Sequence, residues 1–262
     1  MTTNRQFSLA LEALAELKAE ASNPPSVDKS TPVAPTLSEI LEEIGPLPRE
    51  ALLLGMASDG LPILLNLYDS HPGPLLVIGE AGAGKTVFLQ TVACSATQTH
   101  EANDLQYGVI TNHAEEWENI EETAHSVGVF PVDHSNARDL ILSLASWAHT
   151  NKNTRQSVLL LVDSLEEVAN LEMDAVQSFR WLLLRGPSRR VWPIITLRAE
   201  GYEQVSSWLQ NFRTRIFGRI SDESLASALG ADKSSGLGQL EPRIQYSLPE
   251  NGKWLRFWLP SC

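Results

Sequence analysis

Gly79-Glu80-Ala81-Gly82-Ala83-Gly84-Lys85-Thr86 is the stretch of this 262-residue chain that decides the fold. It matches the phosphate-binding P-loop pattern G-x-x-x-x-G-K-[ST] at every fixed position. The glycines let the backbone wrap tightly enough to aim its N–H groups at phosphate oxygens. The lysine then reaches the β- and γ-phosphates, and the threonine hydroxyl takes a place on Mg²⁺. The stretch therefore predicts a nucleotide-binding site.

The residues on either side supply the strand and the helix that a P-loop needs. Pro74–Ile78 predicts a buried strand that enters the loop, and Thr86–Cys94 predicts the helix that leaves it. A helix N-terminus favours phosphate through its dipole and its free N–H groups. The sequence has no Asn-Lys-x-Asp guanine-specificity element, so ATP is expected in preference to GTP. The residues expected to contact the nucleotide are Gly79, Glu80, Ala81, Gly82, Ala83, Gly84, Lys85, Thr86 and Val87.

A second apolar run, Val158–Asp163, ends in an acid and is typical of the Walker B strand. A carboxylate at the C-terminal end of such a strand holds Mg²⁺ beside the P-loop, partly through the water shell of the ion. Thr86 and Asp163 are therefore the predicted Mg²⁺ residues. Lys85 and Asp163 are predicted to take part in catalysis.

The residue that orients the attacking water is harder to assign. Ser164 stands directly after Asp163, where many ATPases have a glutamate, and the nearest carboxylates are Glu166 and Glu167. Glu166 is the predicted catalytic residue, although it must bend back from the following turn to reach the water. The sequence thus supports nucleotide binding more directly than hydrolysis.

The chain divides into three predicted parts. Residues 1–22 carry apolar residues at helical spacing and predict an amphipathic helix that could bind a partner or pack on its own domain. Residues 23–36 are rich in proline and small polar residues and predict an extended linker. Residues 37–262 predict one α/β domain: a three-layer P-loop NTPase with a mostly parallel central sheet.

Within the third part, apolar runs and turn signals predict alternating strands and helices. The first helix is expected at Leu37–Ile44, with Thr36 as its cap and Glu39 three residues on. A hairpin is expected around Ser58-Asp59-Gly60, just before the P-loop strand. Helices are further predicted at Trp117–Val127, Asp139–Thr150 and Asp174–Arg185, and strands at Gln106–Thr111, Trp192–Leu197, Arg215–Ser221, Ile244–Leu248 and Trp254–Leu259.

Composition and charge limit the possible partners. The formal net charge is −12, which argues against a broad basic surface that binds nucleic acid unaided. No apolar run approaches the ~20 residues of a membrane span, and the N-terminus lacks a signal-peptide core. The two cysteines, Cys94 and Cys262, form no metal-spaced set, so a cytoplasmic location is expected.

The order of the motifs resembles the FtsK-type DNA translocases, within the FtsK/HerA branch of P-loop motors. The resemblance covers roughly residues 52–259, and no single segment apart from the P-loop is decisive. The segments that carry it, besides the P-loop strand Gly73–Gly79, are Leu54-Gly55, Asp59-Gly60, Pro62, Asn66-Leu67, Trp192–Arg198, Asn211–Ile216, Arg219–Ser221, Ala228–Ala231, Gly236–Gly238 and Leu240.

The resemblance implies a RecA/FtsK-like fold and an oligomeric ring that couples ATP binding or hydrolysis to movement on double-stranded DNA. It also implies an arginine finger from the segment Arg180–Arg190 that acts on the nucleotide of the next subunit, with Arg185 as first choice and Arg180 as second. Two positions depart from the family, because Ser164 replaces the glutamate after the Walker B acid and Leu197 replaces the sensor glutamine. Each of these arginines could instead simply solvate a helix end and balance its dipole.

Two functions from different classes remain open at this stage. One is a DNA translocase, for which Arg185, Arg189, Arg190, Arg213, Arg215 and Arg219 are the candidate phosphate contacts. The other is a nucleotide-gated assembly or regulatory protein with weak or no hydrolysis. Of the seven tryptophans, Trp208 lies in a polar stretch and is the one expected to have a chance of exposure.

Overall fold

A computed structural model describes residues 35–151 and 154–262. The predicted N-terminal helix and most of the predicted linker therefore lie outside the described residues. The last two linker positions, Pro35 and Thr36, are part of the domain. The backbone of Thr36 pairs with Ser261, and the Leu37 N–H donates to the Ser261 carbonyl at 2.8 Å.

One ten-stranded sheet organises the domain, in the order β2-β1-β10-β9-β8-β3-β7-β6-β4-β5. The six strands from β8 to β5 are parallel, and the other four continue the sheet in antiparallel fashion. The strands are β1 Ala51–Ala57, β2 Pro62–Asn66, β3 Leu75–Gly79, β4 Leu105–Thr111, β5 Ser126–Pro131, β6 Ser157–Asp163, β7 Val191–Arg198, β8 Thr214–Phe217, β9 Gln245–Glu250 and β10 Lys253–Trp258.

Helices cover both faces of this sheet, which confirms the predicted three-layer α/β fold. The α-helices are α1 Leu37–Ile44, α2 Lys85–Thr99, α3 Glu118–Glu121, α4 Ser135–Thr150, α5 Leu165–Val168, α6 Met173–Arg185 and α7 Glu223–Ala228. Two apolar cores result, one containing buried residues of α4 and α6 and the other containing those of α2.

The central strand β3 shows how the sequence builds these layers. Leu76 and Ile78 belong to the core that contains α4 and α6, whereas Leu75 and Val77 belong to the core that contains α2. Both sets are buried because a parallel strand with helices on each face has no solvent side. The continuous apolar run that precedes the P-loop is therefore a direct consequence of its central position.

The predicted helix Trp117–Val127 is wrong. Its residues divide among a 3-10 turn at Ala114–Trp117, the short α3 and the start of β5. The Trp117 side chain is fully buried and fixes the turn, while β-branched and aromatic residues from Val127 onward pair with β4 at the sheet edge. The strand predicted at Arg215–Ser221 is also shorter, because Gly218 and the residues after it turn toward the P-loop.

The tryptophan expected to be exposed is buried instead. Trp208 is 4% exposed and packs near Phe179, with ring centroids 5.8 Å apart. The guanidinium of Arg180 lies over the Trp208 ring at 4.4 Å. A polar sequence context did not predict this burial because the 3-10 segment Ala199–Asn211 folds back on the core.

Thr36 and Glu39 form the predicted capping box at the start of α1. The Glu39 N–H donates to the Thr36 hydroxyl at 3.2 Å, and the Thr36 N–H donates to the Glu39 carboxylate at 2.7 Å. We expect Thr36→Ala to lower the free energy of unfolding by about 1 kcal/mol. Chemical denaturation measures this loss, and Glu42→Ala, an exposed position on the same helix, is the control. Equal stability of the Thr36 variant and the wild type would contradict the prediction.

Candidate nucleotide-binding site

The P-loop lies at the carboxyl end of β3 and at the start of α2, as predicted. Gly82 and Gly84 have φ of 77° and 96°, a region that favours glycine. A Cβ on Gly84 would lie 2.4 Å from the Arg243 Cα, which is too close for any side chain. The glycines thus serve the turn and also admit a neighbouring segment of backbone.

Lys85 points its ammonium back across this turn. Its Nζ donates to the carbonyls of Gly79 and Glu80 at 3.1 and 3.0 Å. Burial lowers the pKa of Lys85 below its ordinary value, while the nearby carboxylates of Asp163, Glu200 and Glu166 act in the opposite direction. The carboxylates therefore help to keep a buried lysine charged.

Thr86 and Asp163 meet directly, although 77 positions separate them in the chain. The Thr86 hydroxyl donates to Asp163 Oδ2 at 2.7 Å, and the Thr196 hydroxyl donates to Asp163 Oδ1 at 2.9 Å. Thr196 is on β7, which lies between the P-loop strand and β6. A hydroxyl and a carboxylate side by side are the hard oxygen donors that Mg²⁺ prefers, so the residues fit the expected ion.

Glu166, the predicted catalytic carboxylate, is 9% exposed and is held on two sides. It accepts hydrogen bonds from the Arg198 N–H at 3.0 Å and from the Ser164 hydroxyl at 3.1 Å. Ser164 has φ of 121°, an unusual conformation for a residue with a side chain. Glu200, just beyond β7, is exposed and was not singled out from the sequence. Its charge acts on Lys85 as those of Asp163 and Glu166 do.

A cavity of about 440 Å³ opens on the P-loop. Five residues of the loop and the first turn of α2 line it, from Gly82 to Val87, together with Gln90, Glu116 and Arg243. No sequence motif identified these last three residues. Gln90 and Glu116 are joined by a bond from the Gln90 amide to the Glu116 carbonyl at 2.7 Å. Arg243 stands well beyond the nucleotide motifs, and no local pattern marks it.

The segment around Arg243 also supports the loop from behind. The Arg243 N–H donates to the Ala83 carbonyl at 2.9 Å, and the Tyr246 hydroxyl donates to the Gly84 carbonyl at 2.7 Å. Tyr246 is fully buried, and this burial raises the pKa of its hydroxyl. The hydroxyl therefore remains a hydrogen-bond donor throughout the physiological pH range.

Glu80, at a position that the P-loop pattern leaves open, anchors the loop on its other side. Glu80 accepts hydrogen bonds from the Ser221 N–H at 2.8 Å and from the Ser221 hydroxyl at 3.2 Å. Its carboxylate also forms an ion pair with Arg219 at 3.2 Å. Glu80, predicted only as part of the motif, thus ties the loop to the segment that follows β8.

Arg185, the first-choice arginine finger, does not lie at this site. It ends α6, which runs antiparallel to the strands, and it lines a cavity of about 320 Å³ with Leu184, Pro74 and Arg213. Pro74 and Arg213 precede β3 and β8, so this cavity is at the amino edge of the sheet, opposite the P-loop. The second choice, Arg180, is exposed and stacks on Trp208.

The six arginines predicted as phosphate contacts do not form one group. Arg219 is at the carboxyl edge, paired with Glu80, whereas Arg185 is at the amino edge. Arg215 is half-buried and donates to the carbonyls of Leu209 and Leu229. Arg190 stacks on the Tyr68 ring at 3.7 Å. These side chains were grouped by sequence proximity, but the sheet distributes them over two edges and the interior.

Comparison with known families decides the classification. A profile of the family described as novel STAND NTPase 1 matches residues 62–231, which include the P-loop, Asp163 and Arg185. The chain belongs to the novel STAND NTPase 1 family. No curated protein matches the sequence. The family match ends before Arg243 and Tyr246, so it does not include the segment that closes the cavity.

Solved structures share the fold of this NTPase. EccC (ATPases 2 and 3) of Thermomonospora curvata, in complex with a signal sequence peptide, is 14% identical with a TM-score of 0.65 and aligns over 88% of this chain and 44% of its own. EssC (ATPases 2 and 3) from Geobacillus thermodenitrificans is 16% identical with a TM-score of 0.64, and the alignment covers 83% of this chain and 48% of the EssC chain. The pCW3 conjugation coupling protein TcpA, in a monomer form with ATPγS, is 14% identical with a TM-score of 0.65, and the alignment covers 87% of this chain and 69% of the TcpA chain.

These similarities confirm the FtsK-like P-loop ATPase fold that the sequence predicted. The chain spans less than half the length of the EccC and EssC chains it matches. Within residues 35–151 and 154–262, no helix is both long and apolar enough to cross a bilayer.

Lys85→Ala is expected to abolish ATP binding, because the backbone cradle alone cannot compensate the charge of the β- and γ-phosphates. Isothermal titration of MgATP into each variant measures the effect. Lys253→Ala, which removes an exposed lysine from the strand β10, is the charge-matched control. Unchanged ATP affinity in a folded Lys85 variant would show that the loop does not bind nucleotide as its motif predicts.

Proposed function

We propose that this NTPase is an ATPase that binds MgATP with its own residues and completes hydrolysis with an arginine from a second copy. One observation carries the proposal. Lys85, Thr86 and Asp163 are assembled at the carboxyl edge of the sheet, while Arg185 is exposed at the opposite edge. A finger from that edge can reach only the nucleotide of a neighbour, so the contact is head to tail.

The binding half of the site uses Lys85, Thr86 and Asp163, with Thr196 in support. Lys85 supplies positive charge to the β- and γ-phosphates, and the loop N–H groups cradle the phosphates. Thr196 and Thr86 fix both oxygens of Asp163 toward the loop. The Thr86 and Asp163 oxygens would hold Mg²⁺, and the bound ion would neutralise negative charge on the phosphate oxygens.

The hydrolytic half is less complete within one subunit, and this supports slow turnover by the isolated protein. Ser164 occupies the position next to Asp163, and Leu197, at the sensor position, is fully buried in the core. Glu166 is close enough to influence Lys85, but two donors already hold its carboxylate. Each carboxylate oxygen has a second lone pair, so Glu166 can still accept a hydrogen bond from water.

A head-to-tail contact repeats from subunit to subunit and closes into a ring when the rotation permits. We therefore propose an oligomer whose assembly depends on ATP. Such an arrangement requires the amino edge around Arg185 to face the P-loop edge of the next copy. The exposed Leu184 beside Arg185 supplies apolar surface for that contact.

DNA movement is the second candidate function. The fold shared with the conjugation coupling protein TcpA favours it. The net charge of −12 and the dispersed arginines favour a nucleotide-gated assembly or regulatory protein instead. ATPase rates measured with and without double-stranded DNA, together with the particle mass in saturating ATP, discriminate between them. A rate that rises with DNA indicates the motor, and assembly with a rate unaffected by DNA indicates the regulator.

Glu166→Gln should lower the hydrolysis rate at least tenfold, because an amide cannot take the proton of the attacking water. The amide oxygen preserves the contact with the Arg198 N–H, so the fold is retained. Glu200→Gln is the comparison, since Glu200 is the exposed carboxylate next to Lys85. Steady-state hydrolysis rates at saturating ATP measure both. If only the Glu200 variant loses activity, Glu166 is structural and Glu200 takes the catalytic role.

Arg185→Ala should lower hydrolysis while leaving ATP affinity nearly unchanged, because a finger acting in trans stabilises the transition state on the neighbour. Arg155→Ala, at an exposed arginine outside the segment Arg180–Arg190, matches the loss of charge, and Arg180→Ala tests the second choice.

Mixing the Arg185 and Lys85 variants is the sharper measurement. Mixed assemblies contain interfaces that join an intact P-loop to an intact arginine, so activity should partly return. No recovery, together with a monomeric mass in saturating ATP, would contradict the proposed oligomer.

A further inference from the structure

Arg243 is held in an unusual backbone conformation directly above the P-loop. Its φ is 69°, a region that side-chain-bearing residues seldom adopt. Its N–H is fixed to the Ala83 carbonyl at 2.9 Å, and its Cα occupies the space that a side chain on Gly84 would need. Residues in such conformations persist where the surrounding structure determines them and are concentrated at binding sites.

The side chain of Arg243 is exposed and lines the cavity that opens on the loop. The backbone of the residue is therefore fixed while its guanidinium is free to meet a ligand. A planar guanidinium with several N–H donors is well suited to phosphate oxygens and can also stack on a base. Glycine would adopt this φ at lower cost, so the backbone alone does not account for an arginine here.

The other residues of the cavity indicate which end of the nucleotide lies there. Asp163 marks the end where the γ-phosphate and Mg²⁺ belong. Lys85 and Thr86 line the phosphate end of the cavity, whereas Asp163 and Glu166 do not line it. The lining then continues along α2 to Val87 and Gln90. Since the loop N–H groups cradle the α- and β-phosphates, the part of the cavity at Val87, Gln90 and Arg243 is the nucleoside side of the site.

We propose that Arg243 binds the nucleoside monophosphate part of the nucleotide, which ATP and ADP share. The inference rests on the proposed ATP binding and assigns that site a residue from outside the family match. The segment that carries Arg243 is thereby a wall of the nucleotide pocket, attached to the loop through Ala83 and Gly84. Product ADP would keep this contact after the γ-phosphate has left.

Arg243→Gly tests the side chain without straining the backbone. We expect its affinities for MgATP and MgADP to fall together, each about tenfold or more, since a charge-assisted hydrogen bond to phosphate is lost. Arg243→Lys should recover part of the loss. Isothermal titration of each nucleotide measures these constants. Without nucleotide, the midpoint temperature of thermal unfolding should be unchanged or higher in Arg243→Gly, because glycine tolerates the positive φ.

Asn251→Gly is the matched control. Asn251 also has a positive φ, of 50°, and lies in the turn between β9 and β10, where it does not line the cavity. It should leave both affinities unchanged. Equal affinities of Arg243→Gly and the wild type would overturn the inference, as would a loss confined to ATP, which would place Arg243 at the γ-phosphate.

The Lys85→Ala variant separates this inference from the proposed function. If the wild type binds neither nucleotide, the proposed function itself has failed. If the wild type binds ATP and Lys85→Ala does not, the P-loop works as proposed, and the Arg243 variants then decide the inference by themselves.

Discussion

The hydrogen bond between the Thr86 hydroxyl and the Asp163 carboxylate is the contact on which the site depends. It exists because β7 alone separates the P-loop strand from β6, so the carboxyl ends of all three strands meet at one edge. Parallel strands buried on both faces hold this register firmly, since a slip by one residue would exchange every side chain between the two cores. The oxygen pair is therefore a product of the sheet as a whole.

The P-loop, between β3 and α2, is held from two directions. On one side Glu80 binds Ser221, and on the other the Tyr246 hydroxyl binds the Gly84 carbonyl. Both contacts come from segments that follow β8 in the chain. A P-loop must present many N–H groups to an anion at once, and contacts to its carbonyls and side chains fix that orientation in advance. The C-terminal third of the domain thus contributes to a site whose motifs lie in the first two thirds.

Much of this architecture could be predicted from the sequence, because its signals are local. The P-loop and the apolar run ending in Asp163 are defined by neighbouring residues, and Thr36 with Glu39 marks a helix start within four positions. The contributions of Arg243 and Tyr246 could not be predicted, since they depend on the β9–β10 hairpin, which joins the sheet from far along the chain. The predicted helix Trp117–Val127 is wrong because the acidic turn before β5 carries a misleading helical pattern, and β5 itself was not predicted.

The backbone pairing of Thr36 with Ser261 brings the first and last segments of the α/β domain side by side. Both ends of the α/β unit therefore leave the fold at one place, beside the cap of α1. A domain with adjacent ends can be inserted into a surface loop of another protein without forcing the two halves of that loop apart. For the same reason its ends can be joined and the chain reopened at the exposed β1–β2 turn around Asp59. The geometry of the fold is therefore compatible with both domain insertion and circular permutation.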